Sequence, residues 1–217
     1  METCIIFCAG EFDRLIGPIE DGDLVIAADG GLRHTRHLGI EPDVVVGDFD
    51  SLGYVPEGAV VHPVEKDDTD AMLAVRQGLT RGYRNFVIYG GMDGPRLDHT
   101  IANLQTLCFL AQQGARGHLV GLSFAATVIK DEKIAFSPDC SGIFSVFCLG
   151  NDALISISGA KYEADHAPLT ASFPLGVSNH FEGNPVEITV HEGTVIAIFD
   201  RINPLPQRLN IQKEESP

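Results

Sequence analysis

Short apolar runs alternate with helix-like segments through the first half of the chain. The runs are rich in valine and isoleucine and end at glycine, proline or aspartate, as is typical of buried strands. They are CIIFCAG (4–10), DLVIAADGG (23–31), VVVGDFD (44–50), VVHP (60–63) and FVIYGG (86–91). Because such strands separated by helices favour a parallel sheet, we predict an α/β fold with helices on both faces of a mostly parallel sheet.

Three segments between these runs predict helices, over residues 31–39, 70–79 and 97–114. The third has the clearest period, and Gly114 provides its stop signal. Its apolar positions recur at steps of three and four: Leu97, Ile101, Leu104, Cys108 and Ala111.

The pattern changes near residue 133, after which no segment has a helical period. Residues 153–158 alternate apolar and hydroxyl side chains, and residues 186–199 alternate, turn near Glu192 and Gly193, and continue as a second strand. Many short strands in so few residues predict a small all-β sandwich or a partly closed barrel. We therefore predict two domains, an α/β domain over residues 1–130 and an all-β sandwich over residues 131–217.

The composition is that of an acidic globular protein. Of the 217 residues, 44% are hydrophobic, and the formal net charge is −15 with a pI of about 4.7. A negative field repels phosphate backbones, so we predict no nucleic-acid partner. A small anionic substrate would need metal cations to offset that repulsion.

The cysteines and the apolar runs also bear on location. Five cysteines lie in apolar runs without a CxxC pair, which indicates reduced, buried thiols. No apolar stretch approaches membrane-spanning length, and the N-terminal apolar run is too short for a signal peptide. We predict a cytoplasmic protein with no membrane partner.

Acidic residues are concentrated between residues 41 and 70, a segment that contains nine carboxylates and only one basic residue, a lysine. Asp48 and Asp50 are two positions apart, so in an extended chain they point the same way. Asp48 and Asp50 come at the end of a predicted strand. AADGG comes at the end of the predicted strand before it, and KDDTD follows the predicted strand after it. Open α/β sheets bind ligands at this carboxyl edge, and all-oxygen ligands suit Mg²⁺.

These acidic residues could also have purely structural roles. GDFDS is also a turn sequence in which Asp and Ser side chains bond the backbone. Asp67 and Asp70 also suit the N-terminus of a helix that begins near Thr69.

A glycine-rich segment, YGGMDGPRLDHT (89–100), is the candidate phosphate site, since no GxxxxGK[ST] or GxGxxG motif occurs. Its glycines allow close approach of backbone to a ligand. Arg96 can grip a phosphate with two parallel hydrogen bonds at the start of the long helix. Asp98 could cap that helix, bind metal or orient Arg96.

In this order and spacing, AADGG, GDFDS, KDDTD and GGxxGxRLDHT resemble the thiamine pyrophosphokinase (thiamine diphosphokinase) family. GVSNHF (176–181) resembles the thiamine-contacting Ser-Asn segment of that family. The resemblance implies an α/β catalytic domain followed by a thiamine-binding β-sandwich, in a homodimer with thiamine at the subunit interface. It also implies an enzyme that moves the terminal diphosphate of ATP to the hydroxyethyl oxygen of thiamine, with Mg²⁺, and releases AMP.

The resemblance further implies roles for individual residues. The metal ligands are expected to be Asp48, Asp50 and Asp70, which with Asp98 form the catalytic set. The expected cofactor- and substrate-binding residues are Asp29, Asp67, Asp68, Thr69, Arg96, Ser178 and Asn179. Arg96 and Asp98 would serve the nucleotide, and Ser178 and Asn179 the pyrimidine ring of thiamine.

For some roles the sequence leaves more than one candidate residue. The general base is Asp98 or an aspartate of KDDTD. The chain has no tryptophan, so aromatic packing on thiamine falls to Phe or Tyr. Phe181 is either such a contact or a core residue.

Two other functions are compatible with the acidic cluster. One is a Mg²⁺-dependent nucleotide or diphosphate hydrolase with water as the acceptor. The other is a non-catalytic thiamine or nucleotide sensor. They differ from the kinase in the products that they predict from ATP and thiamine.

Overall fold

The computed structural model of the protein describes residues 2–49, 52–61, 68–150 and 152–209. The chain forms two compact units, Met1–Ala125 and Ala126–Pro217. Each unit has its own apolar core and is described separately below.

The first unit is built on a parallel sheet, which confirms the predicted α/β class. Its described strands are β1 Cys4–Phe7, β2 Leu24–Ala28, β3 Val44–Gly47, β4 Val60–Val61, β5 Asn85–Tyr89 and β6 Arg116–Val120. Their order is β6-β5-β1-β2-β3-β4, with every neighbouring pair parallel. Every residue of β1 and β2 is buried, which explains why both strands are continuously apolar.

Helices connect these strands close to the predicted positions. They are α1 Leu32–Leu38, α2 Asp70–Thr80 and α3 Leu97–Gln112. A 3₁₀ turn, Asp29–Gly31, leads from β2 into α1. In the described part of the chain, no helix combines the length and apolarity needed to cross a membrane.

The buried face of α3 differs from the stripe that the sequence predicted. Leu97 and Ile101 are 71% and 52% exposed. The residues that α3 buries are Asn103, Thr106, Leu107 and Leu110. The predicted helical period is confirmed, but the stripe that packs on β6 is a neighbouring one, while His99, Thr100 and Asn103 of the same helix line a cavity.

The second unit has no helix among its described residues and forms two facing groups of strands, as predicted. Its described strands are β7 Phe124–Lys130, β8 Lys133–Phe136, β9 Ile143–Cys148, β10 Asp152–Ser158, β11 Ala164–Thr170, β12 Asn179–His180, β13 Val186–Glu192, β14 Thr194–Asp200 and β15 Gln207–Leu209. One sheet has the order β11-β10-β13-β8-β15, and the other contains β12-β9-β14-β7. The turn after Glu192 therefore carries the chain from one sheet to the other, because β13 and β14 belong to different sheets.

An aromatic cluster fills the core of this sandwich. Phe136 lies 5.1 Å from Phe181 and 5.2 Å from Phe199, measured between ring centroids. Phe144 lies 5.0 Å from Phe181 on the same basis. Phe181 is only 9% exposed, so of its two predicted roles it has that of a core residue.

Candidate functional site

A cavity of about 490 Å³ opens at the carboxyl edge of the parallel sheet. Its walls come from the segments that follow β1, β2, β3 and β5 and from the first turns of α2 and α3. It collects Asp29, Asp48, Thr69, Asp70 and Arg96 from four separate stretches of sequence. The strand ends therefore meet where the open α/β architecture was expected to bind a ligand.

Asp29 has the least satisfied carboxylate of the described residues in this cavity. The side chain is 7% exposed, and its Oδ1 atom is buried with no hydrogen-bond partner among the described residues. Its φ of +44° lies in the left-handed region, which non-glycine residues rarely adopt. A buried, unpaired carboxylate oxygen is costly, so this geometry points to a partner that arrives from outside the chain.

The turn after β3 presents Asp48 to the cavity in a way the sequence did not predict. Phe49 has a φ of +61° and is 2% exposed, and its carbonyl accepts hydrogen bonds from the amides of Leu52 and Gly53. The assumption of an extended chain from Asp48 to Asp50 is therefore wrong, because burying the Phe49 ring bends the backbone at that point. Asp50 itself lies outside the described residues.

The N-terminus of α2 supplies the third acidic side chain. Thr69 is the helix cap, and its Oγ1 accepts a hydrogen bond of 3.2 Å from the amide of Met72. Asp70 occupies the first turn, as its structural interpretation predicted for a carboxylate at a helix N-terminus, and it also lines the cavity. Asp67 lies outside the described residues, and Asp68 binds the guanidinium of Arg76 at 2.9 Å.

The glycine-rich loop after β5 is fixed to the rest of the unit at several points. The amide of Gly10 donates to the carbonyl of Gly90 at 2.9 Å. Gly90 has a φ of +65°, and a Cβ there would lie 2.5 Å from the carbonyl oxygen of Cys8. This position therefore requires glycine for two reasons, its φ and the closeness of the neighbouring backbone.

Two polar side chains that sequence reasoning missed hold the same loop. Asn103 on α3 is 7% exposed, and its Nδ2 donates to the carbonyl of Gly91 at 2.9 Å. Asp93 accepts a hydrogen bond of 2.6 Å from the amide of Leu122 through its Oδ2. The sequence could have indicated Asn103, because it is a polar residue among the apolar positions of a helix. For Asp93 the only available indication was its position in a turn.

Arg96 and Asp98 form an ion pair where this loop ends and α3 begins. Nε of Arg96 lies 2.9 Å from Oδ1 of Asp98, and Nη2 lies 2.5 Å from Oδ2. The hydrogen bonds from Arg96 hold the pKa of Asp98 at about 2, below its ordinary 3.8. No side-chain hydrogen bond caps α3, so of the three roles open to Asp98 the geometry supports orientation of Arg96.

The cysteines are all free thiols. Cys4, Cys8 and Cys148 are buried, as predicted, whereas Cys108 and Cys140 are only partly buried. Cys8 lies in the cavity wall, where burial and then the charge of Asp70 raise the pKa of its thiol to about 12. This thiol is therefore neutral and contributes an apolar wall instead of a nucleophile.

In the second unit, the Ser-Asn segment forms a turn beside β9. Ser178 is exposed, has a φ of +59°, and donates its backbone amide to Ser145 Oγ at 3.0 Å. Asn179 is 6% exposed, and both ends of its side-chain amide bind backbone atoms of Tyr162. The two residues predicted to contact thiamine therefore differ, because Ser178 faces outward and Asn179 faces into the fold.

Two family models divide the chain in the same way as its fold. The model for "Thiamin pyrophosphokinase, catalytic domain" matches residues 18–117, and the model for "Thiamin pyrophosphokinase, vitamin B1 binding domain" matches residues 131–195. The chain belongs to the thiamin pyrophosphokinase family. Members of this family are ATP-dependent diphosphotransferases, and the cavity described above lies within the unit that carries the catalytic domain.

Solved structures of thiamin pyrophosphokinases share this fold at low sequence identity. The thiamine pyrophosphokinase from Bacillus subtilis aligns with a TM-score of 0.83 and 22% identity, covering 93% of this chain and 100% of that chain. The enzyme from Candida albicans aligns with a TM-score of 0.73 and 15% identity, covering 92% and 89%. The yeast enzyme aligns with a TM-score of 0.70 and 15% identity, covering 92% and 86%. No curated protein sequence matches this chain significantly.

The donor atoms of the cavity fit a divalent metal of the kind that kinases of the thiamin pyrophosphokinase family use. Asp29, Asp48 and Asp70 offer only oxygen atoms, and one of those oxygens is buried without a partner. Among the described residues, which leave out Asp50 and Asp67, no group of three or more His, Cys, Asp or Glu side chains stands close enough to hold a metal alone. Mg²⁺ commonly takes one or two carboxylates and completes its shell with water and substrate phosphate oxygens.

Proposed function

We propose that this chain is a thiamine pyrophosphokinase that transfers the terminal diphosphate of ATP to the hydroxyethyl oxygen of thiamine, giving thiamine diphosphate and AMP. The observation that carries the proposal is a single cavity that combines Asp29, Asp48 and Asp70 with a fixed glycine-rich loop and Arg96. We assign the nucleotide chemistry to residues 1–130 and thiamine recognition to residues 131–217.

The glycine-rich loop and Arg96 are suited to the phosphate chain of ATP. Transfer of a phosphoryl-type group needs little covalent help from the protein, but it needs in-line positioning and neutralisation of charge. The backbone of the glycine-rich loop, which Gly10 and Asn103 hold in place, would position the phosphate chain. The guanidinium of Arg96 would help to neutralise its charge.

The acidic residues are suited to Mg²⁺ as the cofactor. We assign its ligands to Asp48, Asp50 and Asp70, with Asp29 beside them as a further oxygen donor. The bound ion would neutralise the oxygens of the transferred diphosphate. Without a cation, these carboxylates would repel the phosphate chain that Arg96 attracts.

The pairing of Asp98 with Arg96 bears on the choice of general base. A carboxylate whose pKa is about 2 is a poor proton acceptor near neutral pH, because an effective base has a pKa near the working pH. Asp68 is engaged by Arg76. Since Asp70 is assigned to the metal, we place the proton-accepting role on the remaining aspartate of KDDTD, Asp67, and we assign Asp98 to positioning Arg96.

Exposed apolar side chains support a homodimer with thiamine at its interface. Phe173, Leu175 and Val177 are 64%, 58% and 46% exposed, and they alternate along the segment that leads into Ser178. Several exposed apolar side chains grouped in one short segment are typical of a protein interface. A second copy of the chain would cover these side chains and enclose the acceptor beside Ser178.

The deciding experiment incubates the protein with ATP, MgCl₂ and thiamine and separates the products by chromatography. We expect AMP and thiamine diphosphate in equal amounts, with neither product in the absence of thiamine or of Mg²⁺. ADP as the product, or AMP formed without thiamine, would contradict the proposal and favour a hydrolase. Thiamine binding without any AMP would favour a sensor.

A further inference from the structure

The carboxylate of Asp68, just before α2, is tied to a side chain further along that helix. Asp68 precedes the helix cap Thr69, and Arg76 lies in the second turn of α2. Nε of Arg76 is 2.9 Å from Oδ2 of Asp68, and Nη2 is 3.3 Å from Oδ1. Helical side chains lean toward the N-terminus of their helix, so a long arginine side chain at this position can reach back past the first turn.

Arg76 is itself held against α3. Its guanidinium carbon, Cζ, lies 5.0 Å from the centroid of the Phe109 ring, and the negative face of an aromatic ring attracts a cation in that position. A planar guanidinium can lie over a ring while its N–H groups bind a carboxylate, whereas an ammonium group lacks this forked geometry. Arg76 therefore connects α2 to Phe109 of α3 on one side and to Asp68 on the other.

This ion pair separates two carboxylates that are only two positions apart, those of Asp68 and Asp70. Residues 69–71 line the cavity, whereas Asp68 is not among the described residues of its wall. The wall already contains the carboxylates of Asp29, Asp48 and Asp70. A further carboxylate there would increase both the attraction for cations and the repulsion of a phosphate chain. The side chains of the pair are 50% and 31% exposed, and a pair so exposed adds little stability, so its main effect is on where the carboxylate lies.

We propose that Arg76 is a positioning residue of the metal and phosphate site, because it holds Asp68 outside the cavity and leaves Asp70 as the carboxylate that the start of α2 presents to the ion. This inference rests on the proposed function and deepens it. In this role Arg76 contacts neither the metal nor ATP and acts only through Asp68. The guanidinium also offsets the charge of Asp68, so the pair adds no net charge beside the site.

Arg76→Gln should release Asp68 and leave its charge uncompensated beside the cavity. We expect the Kd for Mn²⁺, measured by electron paramagnetic resonance without nucleotide, to fall about three- to fivefold, because Mn²⁺ accepts the oxygen ligands that suit Mg²⁺ and a further carboxylate strengthens its binding. The KM for ATP should rise about fivefold, since the added charge repels the phosphate chain. A wild-type Kd and a wild-type KM in this variant would overturn the proposal.

A second substitution separates positioning from a structural role of Arg76. In the double variant Arg76→Gln, Asp68→Asn, no carboxylate remains to be held, so both the Kd for Mn²⁺ and the KM for ATP should return to within about twofold of wild type. Asp68→Asn alone should also stay within about twofold, because Asp68 is not a metal ligand in this proposal. A double variant that keeps the values of Arg76→Gln would show that Arg76 acts through Phe109, and would overturn the proposal.

Arg81→Gln is the matched control for net charge. Arg81 is exposed at the other end of α2, where its Nη1 donates to the carbonyl of Gln77 at 3.1 Å. This variant removes the same charge from the same helix and should leave the Kd for Mn²⁺ and the KM for ATP unchanged. Changes as large as those in Arg76→Gln would show an effect of net charge alone, and would overturn the proposal.

The wild-type protein keeps this inference apart from the proposed function. If the wild type binds no Mn²⁺ and makes no thiamine diphosphate from ATP and thiamine, the proposed function fails, and this inference fails with it. If the wild type does both and Arg76→Gln keeps the wild-type values, only the role of Arg76 is overturned.

Discussion

Arg96 and Asp98 form a two-pronged ion pair, with Nε–Oδ1 and Nη2–Oδ2 distances of 2.9 and 2.5 Å. Both side chains are more than half exposed. The two parallel N–H groups of the guanidinium, which suit a phosphate, are therefore already held in a forked geometry by a carboxylate. ATP would exchange one anionic partner of Arg96 for another instead of ordering a free side chain.

Replacement of Arg96 by lysine should lower kcat/KM for ATP about 100-fold, because an ammonium group is a point charge without the fork. Steady-state kinetics with ATP varied and thiamine saturating would measure the loss. Arg84→Lys is the control, because Arg84 precedes β5 at the opposite end of the strand from the cavity. Retention of full activity by Arg96→Lys would exclude two-pronged binding of phosphate.

The low pKa of Asp98 should depend on Arg96. In the wild type the pKa of Asp98 is about 2, and it should return toward 3.8 in Arg96→Gln. Since the pKa in the folded protein lies below the ordinary value, the pair stabilises the fold at pH values above 3.8, and that contribution is lost as the pH falls through about 2. Carbon-detected NMR titration of the carboxylate would show no step near 3.8 in the wild type and a step near that value in the variant. Equal titration curves in the two proteins would contradict the pairing.

Removal of the buried amide at Asn103 should destabilise the protein and loosen the glycine-rich loop. Asn103→Ala leaves the carbonyl of Gly91 without its donor, which should lower the free energy of unfolding by about 1–3 kcal/mol. Urea denaturation would measure the change, and the KM for ATP should rise in the same variant. Gln105→Ala, at an exposed position of the same helix, should alter neither quantity. An Asn103→Ala protein as stable as wild type would show that water replaces the amide.

Gly90 and Gly94 belong to one loop but should respond differently to alanine. A Cβ at Gly90 would meet the carbonyl of Cys8 at 2.5 Å with φ at +65°, whereas a Cβ at Gly94 would meet nothing within 4 Å. Gly90→Ala should therefore lower the free energy of unfolding by more than about 1 kcal/mol, and Gly94→Ala should leave it nearly unchanged. Thermal unfolding of the two variants side by side tests the loop geometry. Equal stabilities would mean that the loop backbone shifts freely.

The metal assignment predicts a loss of turnover without a loss of folding. Asp48→Asn and Asp50→Asn should each abolish formation of AMP, because each removes a charged oxygen ligand from the proposed Mg²⁺ site. Mg²⁺ should raise the Tm of the wild type in the presence of ATP and should raise that of either variant less. Full activity in either variant would exclude that carboxylate as a ligand.

The sequence predicted those parts of the fold that depend on local pattern. The segments that carry Asp29, Asp48 and Asp70 were recognised because apolar runs stop before them, and the order of parallel strands then brings these three residues to one edge. The sequence located α3 but not its buried face, because helical period alone cannot say which of two overlapping stripes meets the sheet. Leu97 and Ile101 are exposed, although their neighbours His99 and Thr100 line the cavity.

Contacts between a side chain and backbone atoms far from it along the chain could not be predicted from the sequence. Nothing in the residues around Asn179 indicates that its amide binds Tyr162, since the two are joined only when the sheets form. The left-handed φ of Phe49 was equally hidden, because a bulky residue seldom adopts it and burial of the ring decides the outcome.

Asp29 has a consequence for the natural history of this chain. Asp29→Gly removes both the left-handed φ of a non-glycine residue and a buried oxygen that has no partner among the described residues, so we expect a glycine at this position to raise the stability of the fold. We expect an aspartate to be retained there only under selection for the proposed cation-dependent activity. Laboratory evolution for heat resistance alone should therefore drift toward glycine at position 29, and lineages that have lost the activity should do the same.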